Sequence, residues 1–298
     1  MRFSKEKTAG RDLDDVVPVD HPLKEMWRMF FKNRAALFGL GLLLTIILMA
    51  LLGPLLYHID PFEIVWAPLA PPGEEGYLLG TDYLGRDILA GIIYGAKATL
   101  VVGTAAALCT VCIGVTVGAV AGFYGGWVDN ALMRVTEFFQ VLPPLLFAMV
   151  LVTLFSPKLM IISISIGVVS WPGVARLTRG EFLKIREREY VMAARSIGSS
   201  NLRIIWKVIL PNALPPLIVT ATLIIGVAIL FEAGLSYLGL SDPNIMSWGF
   251  MIGSSREYIF ESWWAVTFPG VAIFLTVLAV SLVGDGFTDA FNPKLRQL

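Results

Sequence analysis

Residues 35–57 read AALFGLGLLLTIILMALLGPLLY, a stretch of 23 residues without a charged side chain. A helix needs about 20 apolar residues to cross the hydrocarbon core of a bilayer, so this stretch is long enough to span a membrane. The 34 residues before it are polar and lack a short apolar core followed by a small-residue cleavage site. We therefore expect the span to be retained and not removed as a signal peptide.

Five further apolar runs follow, and the composition agrees with them. Of the 298 residues 56% are hydrophobic and 15% are charged, whereas a soluble domain has about 25% charged residues. The sequence predicts an all-α polytopic membrane protein with six transmembrane helices, the third and fourth forming a hairpin around Ser156-Pro157-Lys158. The predicted spans are 35–57, 98–122, 134–155, 159–175, 213–238 and 264–284.

The distribution of cations predicts the orientation of the spans. Of the 23 lysines and arginines, 19 lie before the first span, after the sixth, in the fourth connection, or where the second connection meets the third span (Arg134). Cytoplasmic loops carry the excess of such residues, so both termini are expected in the cytoplasm. The expected organisation is a cytoplasmic segment (1–34), the first span (35–57), an extracytoplasmic loop (58–97), a core (98–284) containing a cytoplasmic loop (176–212), and a cytoplasmic tail (285–298).

The residues just before the first span show a regular alternation of charged and apolar side chains. Cations alternate with apolar residues at close to helical spacing, which predicts an amphipathic helix lying on the inner membrane surface. The alternative is a solvated linker. The cations are Lys24, Arg28, Lys32 and Arg34, and the apolar residues are Leu23, Trp27, Phe30 and Phe31.

Few residues suit catalysis or metal binding. Cys109 and Cys112 lie inside an apolar run and are expected to pack as small hydrophobes. With only two histidines, His21 and His58, far apart in sequence, no zinc site or catalytic triad is expected. The zero net charge gives no indication of a nucleic-acid partner. The spans hold almost no carboxylates or histidines of the kind that a proton relay needs.

The loop 176–212 has a helical pattern that changes at Gly198, a residue suited to the left-handed position after a helix. A second short helix is expected to begin at Ser199 or Ser200 and to end before Pro211. Its predicted apolar stripe is formed by Leu202, Ile205, Trp206 and Ile209. Two short helices joined at a glycine form an elbow, whose small Ala193 and Ala194 would let a partner approach closely. Alternatively, the loop only packs on its own spans.

This loop is similar to the EAA loop of ATP-binding-cassette importer permeases. The pattern E-A-A, three residues, G, nine residues, I-x-L-P is matched in register by Ala193, Ala194, Gly198, Leu210 and Pro211, while Met192 and Val208 replace the glutamate and the isoleucine. Stretches 79–103, 121–143 and 282–294 also resemble the C-type permease of the dipeptide, oligopeptide and nickel importer family, so the resemblance covers nearly the whole chain.

The resemblance implies a permease of the bacterial or archaeal cytoplasmic membrane and not an enzyme. Implied partners are a second permease, two ATPase subunits or halves that hold ATP and Mg, an extracytoplasmic peptide-binding protein and the lipid bilayer. No cofactor is expected on this chain, because GIIYGAKAT (91–99) lacks the glycine and lysine spacing of a phosphate loop. The implied ATPase-coupling residues are Tyr190, Ala193, Ala194, Arg195, Gly198, Leu202, Trp206 and Pro211.

Three other groups of residues are candidates for function or packing. Gly114, Gly118 and Gly122 repeat every four residues and predict close helix packing, within the chain or against the partner permease. Glu232 is expected near the outer end of the fifth span, either solvated at the interface or lining the pathway. An outer turn carries Asp82, Arg86 and Asp87, expected either as a structural clasp or as a contact with the binding protein.

The implied substrate is a di- or oligopeptide. A nickel-chelate or opine importer of the same family remains an alternative, because nothing in the residues separates these substrates. From another class, a polytopic membrane enzyme or channel remains open.

Overall fold

The computed structural model describes residues 22–291. The predicted cytoplasmic residues 1–21 and 292–298 lie outside this range. Within it the chain folds into helices without a β-strand, which confirms the all-α architecture. The helices are α1 (Pro22–Lys32), α2 (Arg34–Leu56), α3 (Ile88–Tyr124), α4 (Gly126–Val141), α5 (Pro144–Phe155), α6 (Leu159–Arg186), α7 (Glu189–Ser196), α8 (Asn201–Arg203), α9 (Leu210–Tyr237), α10 (Trp248–Ser255) and α11 (Trp263–Phe291).

Within residues 22–291, five continuous helices are long and apolar enough to cross a membrane, and a bent pair of helices makes up to six if the pair is one broken span. The continuous ones are α2, α3, α6, the run Asn201–Tyr237 and α11. The broken span joins α4 to α5 with a bend of 88°. Leu142 has extended dihedral angles, as expected for a residue before proline, and neither Pro143 nor Pro144 can donate a backbone hydrogen bond. The predicted third span, 134–155, is thus not one straight helix.

Several helices extend beyond the predicted spans. The second begins at Ile88 and not near residue 98, because the Asp87 side chain accepts a hydrogen bond from the Leu89 amide (2.9 Å) and caps it. Helix α6 continues to Arg186 instead of 175, and α11 to Phe291 instead of 284. Polar residues end an apolar run, but they do not end a helix when they are good helix formers. The connection between α2 and α3 is correspondingly shorter than the expected loop 58–97.

Close helix contacts depend on small residues. On α2, an added Cβ at Gly39 would lie 2.6 Å from the Leu282 Cβ and 2.9 Å from the Ala279 carbonyl oxygen of α11. On α3, one at Gly103 would lie 2.8 Å from Ile229 of α9. Helices can approach this closely only where a side chain is missing. The first span therefore packs on α11, at the periphery of the bundle.

Of the four clusters of buried side chains among the described residues, two position the sites discussed below. One cluster surrounds Trp248 of α10, which is fully buried and donates its indole N–H to the Ile92 carbonyl (2.9 Å). The other surrounds Phe182 near the ends of α3 and α6, where α7 and the start of the run Asn201–Tyr237 join them. The second cluster anchors the elbow.

Candidate coupling elbow and pathway elements

The elbow consists of α7, the turn at Gly198 and the helical start of the run Asn201–Tyr237. Gly198 has a φ of 79°, in the left-handed region. Its amide bonds to the Arg195 carbonyl (3.0 Å), and the Ser199 amide bonds to the Ala194 carbonyl (3.1 Å). These two bonds form a Schellman motif, which ends α7 in a defined geometry. Ser200 occupies the N-cap position of α8, although its side chain makes no capping hydrogen bond.

One side of the elbow is fixed to the bundle. Val191 of α7 is fully buried, as are Ile204 and Ile209. They pack with Phe182 of α6 and Phe123 of α3 in one cluster. Burying each such aliphatic side chain contributes about 1.5–3 kcal/mol, so the elbow is a firmly attached element.

The opposite side of the elbow is exposed. Tyr190 is 47% exposed and Leu202 is 67% exposed. Ala193 and Arg195 are also exposed, whereas Ala194 is half-buried and packs partly on the anchoring cluster. The Arg195 guanidinium lies 5.8 Å from the centre of the Phe123 ring. The elbow thus has an apolar and basic surface that nothing in the described chain covers.

The structure divides the predicted stripe Leu202, Ile205, Trp206 and Ile209. Residues 204–209 form a π-helical stretch, which changes the angular position of each side chain relative to an α-helix. Ile205 and Ile209 are buried while Leu202 is exposed. Trp206 lines a groove of about 290 Å³ together with Val111 and Cys112 of α3. Trp206 is itself 63% exposed, so the stripe divides into exposed Leu202 and Trp206 and buried Ile205 and Ile209.

Pro211 lies in the first turn of α9 and is exposed. A proline is tolerated there because the amide that it lacks would have no partner within the helix.

Polar side chains tie α6 to its neighbours. Arg186, at the end of α6, donates hydrogen bonds to the Gly122 carbonyl (3.1 Å) and the Phe123 carbonyl (3.4 Å) of α3. Arg179 of α6 makes a two-pronged ion pair with Asp129 of α4, at 2.5 and 2.6 Å. These bonds connect α6, which precedes the elbow, with α3 and α4.

The three spaced glycines of α3 lie against α6 within this chain. Added Cβ atoms would lie 2.5 Å from the Val174 Cβ at Gly114, 2.3 Å from the Ala175 oxygen at Gly118, and 2.6 Å from the Phe182 Cβ at Gly122. This surface is therefore occupied by α6 and is not available to a second permease.

Glu232 lies in the second-last turn of α9, which ends at Tyr237, and is only 2% exposed. One carboxylate oxygen accepts hydrogen bonds from the hydroxyls of Ser236 (2.9 Å) and Ser247 (2.8 Å). Ser247 also caps α10, since its hydroxyl accepts from the Phe250 amide (3.0 Å). An added Cβ at Gly249 would lie 2.7 Å from the second carboxylate oxygen. Glu232 thus connects α9 to α10 and lies under α10, so it does not line an open pathway in this conformation.

The carboxylates of the outer turn accept hydrogen bonds from neighbouring groups of this chain. Asp82 is buried and accepts hydrogen bonds from the amides of Leu84 (2.8 Å) and Arg86 (2.9 Å). Burial raises the pKa of the Asp82 carboxyl, and these amide bonds oppose the rise only in part. Asp87 caps α3 and accepts the Tyr57 hydroxyl. Arg86 lies over the Phe62 ring at 5.3 Å. Asp82 and Asp87 therefore stabilise the turn and the start of α3. The expected pairing of Arg86 with a neighbouring aspartate is not present within the described residues, because the Arg86 Nε and Nη1 atoms are buried there without a hydrogen-bond partner.

The break between α4 and α5 is not evident from the hydropathy of the predicted span 134–155. Val141, at the end of α4, is 82% exposed. Arg134 and Glu137 on α4 pair at 3.6 Å, with side chains 85% and 63% exposed. The signal in the sequence was the pair Pro143-Pro144 together with these charges. Hydropathy averaged over the run does not detect it.

Comparison with known proteins agrees with this architecture. Residues 114–297 match the family described as binding-protein-dependent transport system inner membrane component. Residues 21–72 match the N-terminal transmembrane domain of oligopeptide transport permease C.

Relatives and a solved structure extend the match over most of the chain. The chain is 40% identical to a di/tripeptide transport system permease protein DppC of Pseudomonas aeruginosa, covering 92% of this chain and 93% of the relative. It is also 40% identical to a dipeptide transport system permease protein DppC of Bacillus subtilis, covering 99% and 93%. An inward-facing structure of the MetNI methionine ABC transporter superposes with a TM-score of 0.56 at 19% identity, covering 66% of this chain and 94% of that one, and shows the fold alone. The chain therefore belongs to the family of binding-protein-dependent transport system inner membrane components.

Proposed function

We propose that this chain is the permease subunit of an ATP-driven importer of di- or oligopeptides and forms half of its translocation pathway. The relatives that carry dipeptide names support peptides over nickel chelates or opines as substrates. Membership of a transport family likewise disfavours a membrane enzyme or a channel. A second permease, two ATPase subunits or halves with ATP and Mg, and an extracytoplasmic binding protein complete the transporter.

The proposal depends on the observation that one side of the elbow is buried against the bundle and the other side is exposed. The inner side of the elbow is anchored to α3 and α6 by fully buried side chains, and its outer side presents Tyr190, Ala193 and Arg195. An element that is exposed on one side and rigidly attached on the other can transmit a displacement. We assign the exposed side to an ATPase cleft, so that closure of the ATPases pulls the elbow and tilts the attached helices.

The pathway is assigned to the side of the bundle that carries the α4–α5 break. Non-helical backbone at membrane depth is tolerated only where protein covers it or water fills a cavity. The break at Leu142 and the exposed Arg134–Glu137 pair have no such cover within residues 22–291. The second permease and the solvated pathway would supply it.

The substitution Ala193→Asp tests the elbow. Ala193 is exposed, so a carboxylate there leaves the anchoring cluster intact but would be desolvated in an ATPase cleft. We expect at least a tenfold loss of peptide uptake and of peptide-stimulated ATP hydrolysis in proteoliposomes containing the complete transporter and its binding protein. Ala194→Asp is a poorer test, because Ala194 packs partly on the cluster.

The matched control is Ala193→Ser, which keeps a small neutral side chain and should retain uptake. Copurification of the permease pair must be unchanged in both variants, because the change lies outside the membrane-embedded contacts. Normal uptake by the Ala193→Asp transporter would refute docking at this surface. Competition of labelled dipeptide uptake by a nickel chelate or an opine separates the substrate alternatives.

A further inference from the structure

Helix α1 is held firmly against the bundle on one side. Phe30 is 2% exposed, and its ring centre lies 5.1 Å from that of Phe287 on α11. At the turn between α1 and α2, the Asn33 side chain accepts a hydrogen bond from the Ala36 amide (3.0 Å) and donates one to the Asp289 carboxylate (2.8 Å). The position of α1 relative to the first turn of α2 is therefore fixed.

The other side of α1 exposes aromatic and cationic side chains together. Trp27 is 46% exposed and Phe31 is 53% exposed, and their rings stack with centres 5.8 Å apart. Arg28 and Lys32, each one position further along the helix, are exposed as well. Arg34 is exposed and begins α2. A pair of aromatic rings thus lies beside a row of three cations.

This surface continues into the lipid-facing surface of α2. Leu37, Phe38 and Leu44 are exposed in the first half of α2, and further leucines follow towards its end. Helix α2 has 23 residues, about 34 Å at 1.5 Å per residue, which matches a hydrocarbon core of about 30 Å. Its first turn, and α1 with it, therefore lies at the level of the lipid headgroups.

We propose that the α1 surface formed by Trp27, Arg28, Phe31, Lys32 and Arg34 binds the headgroups of anionic phospholipids. Indole rings favour the headgroup level of a membrane, and helices that lie in this region carry tryptophan and phenylalanine on the face that enters the lipid. Each nearby lysine or arginine adds attraction to a negatively charged headgroup. A zwitterionic headgroup carries its own cation and gains less from the same three charges. Because α1 is fixed to α11, the three cations are held in place before lipid binds.

The test measures lipid selectivity of the complete transporter. Purified transporter is placed in nanodiscs of phosphatidylcholine with spin-labelled phosphatidylglycerol or spin-labelled phosphatidylcholine, and the immobilised fraction of each label gives relative association constants. We expect phosphatidylglycerol to be preferred by at least about fivefold at low salt. The preference should fall as salt rises to about 0.5 M, where charges on a surface are screened within a few ångströms.

The variant Arg28→Gln/Lys32→Gln/Arg34→Gln should reduce the preference to the level seen at high salt. A control variant with the same loss of charge at exposed cations outside the elbow, Lys97→Gln/Lys158→Gln/Lys184→Gln, should keep it. If the first variant does not assemble, Arg28→Lys/Lys32→Arg keeps the charge and should retain the preference.

Equal association of the two lipids with the unmodified transporter would overturn the proposal. An equal loss in both glutamine variants would also overturn it, because the selectivity would then belong to cations in general. Competition by an added ATPase subunit for the labelled lipid would assign this surface to protein instead. None of these outcomes bears on the coupling elbow, which is tested by uptake.

Discussion

The substitution Gly118→Ala tests how closely α3 packs on α6. An added Cβ would lie 2.3 Å from the Ala175 carbonyl oxygen and 2.6 Å from the Thr178 Cβ. Favourable contact between heavy atoms begins at about 3.5 Å, so the two helices would have to separate by about 1 Å. The Ala175 oxygen belongs to the backbone and cannot rotate away. The alanine is accommodated only by shifting a helix.

The change in the free energy of unfolding caused by Gly118→Ala is the sum of an unfavourable steric contribution and a favourable gain in helix propensity. Overpacking of this kind costs about 1–3 kcal/mol, and we take the upper end because a backbone atom is struck. Alanine recovers about 1 kcal/mol through its higher helix propensity. The net loss is about 2 kcal/mol, which corresponds to a fall in Tm of about 4–8 °C.

Gly173→Ala on α6 is the matched control, because an added Cβ there has no atom within 4 Å. It should gain helix propensity without a clash, and its Tm should stay level or rise by about 2–4 °C. The assay is the temperature at which half of the solubilised complex loses its monodisperse size-exclusion peak. A Tm for Gly118→Ala equal to or above that of Gly173→Ala would refute the proposed tight contact.

Three further changes test other contacts. Asp129→Asn removes the charge that pairs with Arg179, and we expect a loss of about 1–2 kcal/mol in thermal unfolding, kept small because the Arg179 side chain is 35% exposed. Glu232→Ala leaves two buried hydroxyls without an acceptor and should lower the free energy of unfolding by about 2–4 kcal/mol, while Glu232→Gln, which keeps an acceptor, should lose less in the same assay. Because the folded-state pKa of Asp82 is raised, its contribution to stability is fully present below the unfolded-state pKa and is lost as pH rises through the folded-state pKa. Hydrogen exchange of residues 79–87, corrected for intrinsic rates, should therefore show weaker protection as pH rises through that range, and Asp82→Asn should remove the trend.

The fold class could be predicted from the sequence because its signal is local. A bilayer-spanning run such as 35–57 is apolar over its whole length, since every exposed side chain meets lipid. The elbow was also predictable: Gly198 at a helix end needs a left-handed backbone, and the structure has φ at 79° there. The spacing of Gly114, Gly118 and Gly122 indicated a packing surface, although either of two partners was open.

Other features depended on contacts between distant residues. The bend at Pro143-Pro144 was hidden inside an apolar run, and the start of α3 at Ile88 depended on capping by Asp87 in a turn that read as a loop. The division of the predicted stripe into exposed Leu202 and Trp206 and buried Ile205 and Ile209 accompanies a π-helical stretch that periodicity at 3.6 residues does not describe.

The sequence by itself determined which segments are apolar enough to span a membrane, where a helix ends at glycine, and which connections carry most of the cations. These properties follow from single side chains and their near neighbours. Only the tertiary structure decided that α6 occupies the glycine surface of α3, that Glu232 holds α10, and that the elbow has one anchored and one exposed side. Each of these features depends on which residues, distant in sequence, pack together, because a side chain is buried only when another part of the chain covers it.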